Sequence, residues 1–199
     1  MKTIKRSLLI AVALLITGTI SAQQFRYIGA DNCKTCHNTP EKGRHYDMWL
    51  LDVHADALKM LSTPKAEAFA KERGITNAAT DPSCLKCHST FHAAPANLRN
   101  GIKDDEGISC EGCHGAGSNY RTPAVKRNRT VAVRSGLVIQ NEESCAKCHN
   151  SEAPFYPVWG LYKGVPFDIA FLKASHLDPN LEKNKEKIQK IEEYRNNNK

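Results

Sequence analysis

Eight cysteines fall into four pairs, each with two residues between its members and a histidine directly after: Cys33-Lys34-Thr35-Cys36-His37, Cys84-Leu85-Lys86-Cys87-His88, Cys110-Glu111-Gly112-Cys113-His114 and Cys145-Ala146-Lys147-Cys148-His149. This spacing lets two thiols reach the two vinyl groups of one heme while the adjacent imidazole binds its iron from one face. Disulfide frameworks and zinc sites also use paired cysteines in exported chains. Neither accounts for a histidine after every second cysteine with no cysteine left over. The pattern indicates four covalently attached hemes c, with His37, His88, His114 and His149 as proximal iron ligands.

Four more histidines, His45, His54, His92 and His176, complete the total of eight. That number provides a second imidazole for every iron. Two imidazoles saturate an iron, so it changes oxidation state with little rearrangement and offers no open position to substrate, which is electron-transfer chemistry. His54 shares a helical face with Leu50, Leu58 and Leu61, and His176 follows the apolar pair Phe171 and Leu172. His92 lies four residues after His88, too close to reach the far face of the same heme, so as a ligand it must serve another. His45 precedes His54 by nine residues, about half a turn out of phase at about 3.6 residues per turn, so the two face different hemes. Met48 and Met60 are read as packing against porphyrin rather than as thioether ligands.

The elements that must position these residues read as mainly α with extensive irregular loops around a heme-packed core. Leucine spacing predicts a helix over Glu41–Leu61, and a shorter one over Lys65–Arg73 ends at Gly74. Asp81-Pro82 marks the turn into the second motif, and the glycines around the third indicate backbone close to a heme edge. The segment Thr130–Ile139 is the one strand candidate, Pro154–Pro166 reads as an aromatic loop, and the charged end from Leu181 reads as a solvated helix that frays.

Residues 1–22 have the form of a cleaved export signal: Lys2, Lys5 and Arg6, then the apolar run Leu8–Ile16, then Ile20-Ser21-Ala22. The run is about half of the roughly 20 residues a bilayer span needs. The sequence therefore divides into a signal over 1–22, a tetraheme domain over 23–180 and a charged tail over 181–199. The mature chain is expected in the periplasm or outside the cell, with no transmembrane segment. The formal charge of +7 first suggests an anionic partner such as nucleic acid. Three of those charges belong to the signal, leaving +4; each heme adds two propionates and, when oxidised, one positive charge at its ferric core, so the oxidised holoprotein sits near neutrality. Nucleic acid is excluded as a partner.

Several segments carry a resemblance to the tetraheme cytochrome c-554 family, whose relatives include the heme modules of octaheme hydroxylamine oxidoreductases. They are Gly29-Ala30-Asp31-Asn32, Trp49 with Val53-His54-Ala55-Asp56-Ala57, the third motif with its trailing Gly115-Ala116-Gly117-Ser118-Asn119-Tyr120-Arg121, and Phe167-Asp168 onward to His176. The resemblance implies a mostly helical fold with closely packed, partly parallel-stacked hemes that relay electrons between redox proteins. It also implies that His54 and His176 are distal ligands, His54 to a heme other than the one its own flank attaches. The sequence departs from the family after the third motif, where Ala124 falls near the place of an expected distal histidine; His45 and His92 are the candidates to replace it. The family pattern also includes one five-coordinate heme.

The leading function is thus a diffusible electron carrier between exported redox proteins, not an enzyme. The alternatives are a self-assembling subunit of an extracellular heme filament, and an enzyme acting on a small nitrogen species at a five-coordinate heme.

Overall fold

The structure is a computed structural model that describes residues 24–151, 153 and 165–198. The export signal expected over residues 1–22 and most of the Pro154–Pro166 segment lie outside those residues. Among the described residues the chain is mainly α with irregular connections, as its sequence implies, and has no strand. The helices are short: α1 (Ala30–His37), α2 (His45–Leu50), α3 (Ala57–Met60), α4 (Pro64–Glu72), α5 (Pro82–His88), α6 (Thr90–Ala93), α7 (Cys110–His114), α8 (Pro123–Lys126), α9 (Arg129–Arg134), α10 (Glu142–Ala146), α11 (Phe167–Lys173) and α12 (Lys185–Asn197). Single 3-10 turns occur at Pro40–Lys42 and Glu182–Asn184.

Local chemistry explains where these helices start. Thr63 accepts from the Ala66 amide and Pro64 occupies the first turn of α4, while Asp81 and Pro82 do the same for α5, with Asp81 accepting from Ser83. The second motif is thereby placed on a capped helix. Ser89 ends that helix and caps α6 by accepting from the His92 amide.

Two sequence expectations need correction. The Glu41–Leu61 helix is interrupted twice. Gly43 and Arg44 adopt left-handed backbone with φ of 85° and 42°, and residues 51–56 form turns in which Asp52 accepts from the His54 amide at 2.8 Å. A short acid that bonds a nearby amide competes with the helical hydrogen bond, so the helix stops at Leu50. The Thr130–Ile139 strand is in fact helix α9 followed by an irregular segment. Asn128 caps it from Val131, and Gly136 ends it at φ 101° with Leu137 bonding back to Ala132 and Gly136 to Val133, a left-handed helix stop. The β-branched residues alone did not outweigh those two caps. The charged C-terminus is helical as expected, but it packs on α11: Ile191 is buried and Lys190 bonds Asp168 at 2.5 Å.

The protein core is small. Leu61, Ala70, Ala78 and Leu85 form a cluster beneath the second motif, with Leu58, Ala66 and Ile75 packed around it. Each buried leucine contributes about 1.5–3 kcal/mol. Much of the remaining buried apolar surface is alanine. Polar clamps do more of the joining. Glu111, inside the third motif, is 1% exposed and accepts hydrogen bonds from the amides of Ile28 (3.0 Å), Gly29 (2.7 Å) and Gly117 (2.6 Å). It ties the N-terminal segment to α7 and the loop that follows. Gly29 must be glycine: its φ is 81° and a Cβ would stand 2.1 Å from the Gly101 carbonyl oxygen. Arg44 makes a paired contact with Asp178 at 2.8 and 3.0 Å, joining the start of α2 to the segment after α11.

Replacing Glu111 with alanine leaves three inward-facing amides without an acceptor, each worth about 1–3 kcal/mol. Denaturant unfolding of the holoprotein should show a loss of more than about 2 kcal/mol. The Arg44 contact holds the Asp178 carboxyl down at about 2. A depressed folded pKa stabilises above the ordinary carboxylate value of about 4 and loses that contribution as pH falls toward about 2. Asp178→Asn should therefore be less stable at neutral pH and show a flatter acid dependence across that window.

Candidate heme-binding site

An imidazole offers iron one nitrogen, so its other nitrogen needs a partner in the protein. His88 donates from Nδ1 to the Ala57 carbonyl at 2.7 Å, which leaves Nε2 free. His114 is hydrogen-bonded to the Val138 backbone. Helices α3 and the segment after α9 thereby orient the histidines of the second and third motifs. Burial pushes His114 and His149 down from the ordinary histidine value, so both present a neutral ring. Burial, then the adjacent Lys126 cation, pushes His37 down to about 4. Lys126 Nζ, at the end of α8, donates to His37 Nε2 at 3.1 Å.

All eight cysteines are free thiols. They meet across motifs: Cys33 is hydrogen-bonded to Cys110, and Cys148 to Cys87. These contacts, followed by burial, push Cys110 and Cys148 well above the ordinary thiol value. Cys145, in the fourth motif, adds to the rise that burial imposes on Cys113 in the third. The motifs are therefore neighbours in the order first, third, fourth, second.

The non-motif histidines fall in distinct places. His54 sits in the turns before α3, and its ring lies edge-on to His149, with centroids 6.0 Å apart and planes at 90°. His45 opens α2 with its ring centroid 6.3 Å from that of His37 and the planes at 54°. Two imidazoles sharing one iron stand about 6 Å apart between centroids, because each metal–nitrogen bond is about 2 Å long. The separations of both pairs match that spacing, and at His37 the Lys126 contact on Nε2 would have to give way. His176 follows α11 in left-handed backbone at φ 50°, and burial lowers its pKa; its charged surroundings include Asp52, His54, His45 and His114. His92 is exposed on α6 with its ring 5.1 Å from Phe91. Met60 is half exposed, and Leu51 and Val53 beside His54 are 81% and 70% exposed, a bare apolar frame suited to porphyrin contact.

Three side chains at this site were not legible as such in the sequence. Asp52 bonds the His54 ring at Nδ1 (2.9 Å); burial alone would raise its carboxyl, but the His54 contacts outweigh that and hold it below the usual range. The signal available was a short acid two residues before a candidate ligand. Lys126 was one of several basic residues after the third motif, and Glu111 occupied a variable position within it.

Gly107 positions the His54 turn. Its carbonyl accepts from Thr90, the next amide, Ile108, donates to the His54 carbonyl at 2.8 Å, and a Cβ on Gly107 would stand 2.5 Å from that oxygen. Gly107→Ala should cost about 1–3 kcal/mol by overpacking and alter the absorption spectrum of the heme that His54 faces. Thermal unfolding and visible spectroscopy on the purified holoprotein provide the measurement.

The chain is similar in sequence to known proteins. The family described as cytochrome c554 and c-prime matches residues 32–115, which span the first three motifs. Cytochrome c-554 of Nitrosomonas europaea is 25% identical over 179 residues, covering 75% of this chain and 73% of its own. No solved structure matches the chain.

Proposed function

We propose that the chain is a c-type cytochrome of the cytochrome c-554 family, to which it is similar over residues 32–115 and in its likeness to cytochrome c-554, and that it is an exported tetraheme carrier with covalently bound heme c passing electrons between redox proteins. The observation that carries the reading is the pair of cross-segment imidazole contacts, His37 with His45 and His54 with His149, at separations two ligands of one iron require. Each bound heme supplies an iron that takes up and returns one electron.

The chain's own residues do the rest. Cys33 and Cys36, Cys84 and Cys87, Cys110 and Cys113, and Cys145 and Cys148 hold the four groups. His37, His88, His114 and His149 bind iron from the proximal side. His45 stands opposite His37, His54 opposite His149, and His176 opposite His114, within whose electrostatic reach it lies. His92 takes no ligand role in this assignment because it is exposed on α6 beside Phe91. Interactions between thiols make the attachment sites neighbours in the order first, third, fourth, second, which supports passage of electrons from each to the next. Three irons with two imidazoles each suit transfer rather than chemistry on a substrate, while the iron of the second motif would have His88 alone. Among the described residues no helix is long and apolar enough to cross a membrane, which fits a carrier released after export.

Expressed with its leader in a host that attaches heme c, the protein should appear in the periplasm with four hemes by pyridine hemochrome assay. Low-temperature electron paramagnetic resonance should show three low-spin bis-imidazole hemes and one high-spin heme, at the second motif. Reduction by a protein donor should be reversible without turnover of hydroxylamine or nitric oxide. Fewer than four hemes, or catalytic turnover, would overturn the proposal, and polymers by electron microscopy would favour the filament reading.

A further inference from the structure

The turn between α2 and α3 places one carboxylate between two of the imidazoles assigned above to different irons. Asp52 Oδ1 accepts from the His54 amide at 2.8 Å and contacts His54 Nδ1 at 2.9 Å. A carboxylate accepts only, so Nδ1 carries the proton and Nε2 is left for metal. The second oxygen, Oδ2, faces His176 Nδ1 at 3.9 Å. That nitrogen is buried and has no hydrogen-bond partner among the described residues. A shift of about 1 Å brings it within bonding distance of Oδ2.

Independent contacts hold both rings against this carboxylate. His54 lies in the turn fixed by the Ile108 amide on its carbonyl. His176 is two residues before Asp178, which Arg44 grips with two hydrogen bonds. A buried Nδ1–H left without an acceptor costs about 1–3 kcal/mol, so binding of iron at His176 Nε2, which commits the proton to Nδ1, draws the ring toward Oδ2.

We propose that Asp52 is a shared positioning residue whose carboxylate accepts Nδ1–H hydrogen bonds from both His54 and His176, fixing two axial imidazoles and lowering the potentials of two hemes together. The proposal rests on the assignment of those histidines as ligands. Its physical basis is that a carboxylate acceptor makes the imidazole a stronger donor and so favours ferric iron. Because both rings share one anion, oxidation at one iron polarises the hydrogen bond that serves the other.

The test uses the full heme-loaded chain and compares Asp52→Asn, Asp52→Glu and Asp56→Asn with the parent by spectropotentiometry and low-temperature electron paramagnetic resonance. Asp56 lies on the same turn and pairs with the exposed Lys59, so it controls for loss of negative charge alone. Asp52→Asn should retain four hemes and shift two of the four midpoint potentials upward, the same two whose signals change in His54→Ala and His176→Ala. Asp52→Glu should restore them, and Asp56→Asn should leave them in place. No shift, a shift in one heme only, or an equal shift in Asp56→Asn would overturn the proposal. Proton resonance on the unaltered protein covers the case in which Asp52→Asn fails to fold. Slowly exchanging Nδ1–H signals from the two axial imidazoles of His54 and His176 support the bridge, and rapid exchange at His176 overturns it. Failure of the ligand assignment itself is read separately, as unchanged heme spectra in His54→Ala and His176→Ala.

Discussion

An imidazole can serve a metal with one nitrogen only when its other nitrogen is satisfied by the protein, and the arrangement of this chain follows from that constraint. The acceptors are drawn from outside the motif each time. Ala57 of α3 holds His88 of α5, Val138 beyond α9 holds His114 of α7, and Asp52 holds His54. A motif therefore cannot be oriented until a distant segment has docked on it. Short helices joined by turns suit this purpose better than long ones, because each turn exposes a carbonyl or short acid at a chosen point. Attachment of the cofactor and folding of the chain become mutually dependent.

The same logic explains why so polar a group as Glu111 is buried. Burial penalises its charge and raises its pKa, while the three amide donors oppose that rise. What the carboxylate gains the fold is convergence. One side chain within the third motif collects the N-terminal segment, the end of that segment at Gly29, and the loop after His114. Trp49 adds a further link from α2 by donating to the Ile108 carbonyl at 2.9 Å. The first and third motifs are thereby brought side by side, as the contact between Cys33 and Cys110 requires.

The proposed attachment sites are legible in the sequence because each is written in contiguous residues. Cys-x-x-Cys-His leaves little freedom, and helix starts such as Thr63-Pro64 and Asp81-Pro82 are decided locally. The Glu41–Leu61 helix and the Thr130–Ile139 strand were misread for a common reason. Leucine spacing and β-branching register average preference, whereas Asp52 and Asn128 act through a single hydrogen bond that redirects the backbone. Which distal imidazole meets which motif was not legible at all. His54 and His149 are far apart in sequence, and nothing in either flank encodes the 6.0 Å contact.

A lone pair serves one partner at a time, and this bears on Lys126. In the structure its ammonium donates to His37 Nε2, the nitrogen that iron requires under the proposed ligand role. The two interactions are mutually exclusive, so heme attachment at Cys33 and Cys36 must displace the amine. The His45 ring already stands at a ligand's separation on the same imidazole. One basic residue after the third motif thus reaches the histidine of the first, a contact that adds to the joining of these two motifs by Glu111 and by Cys33 with Cys110.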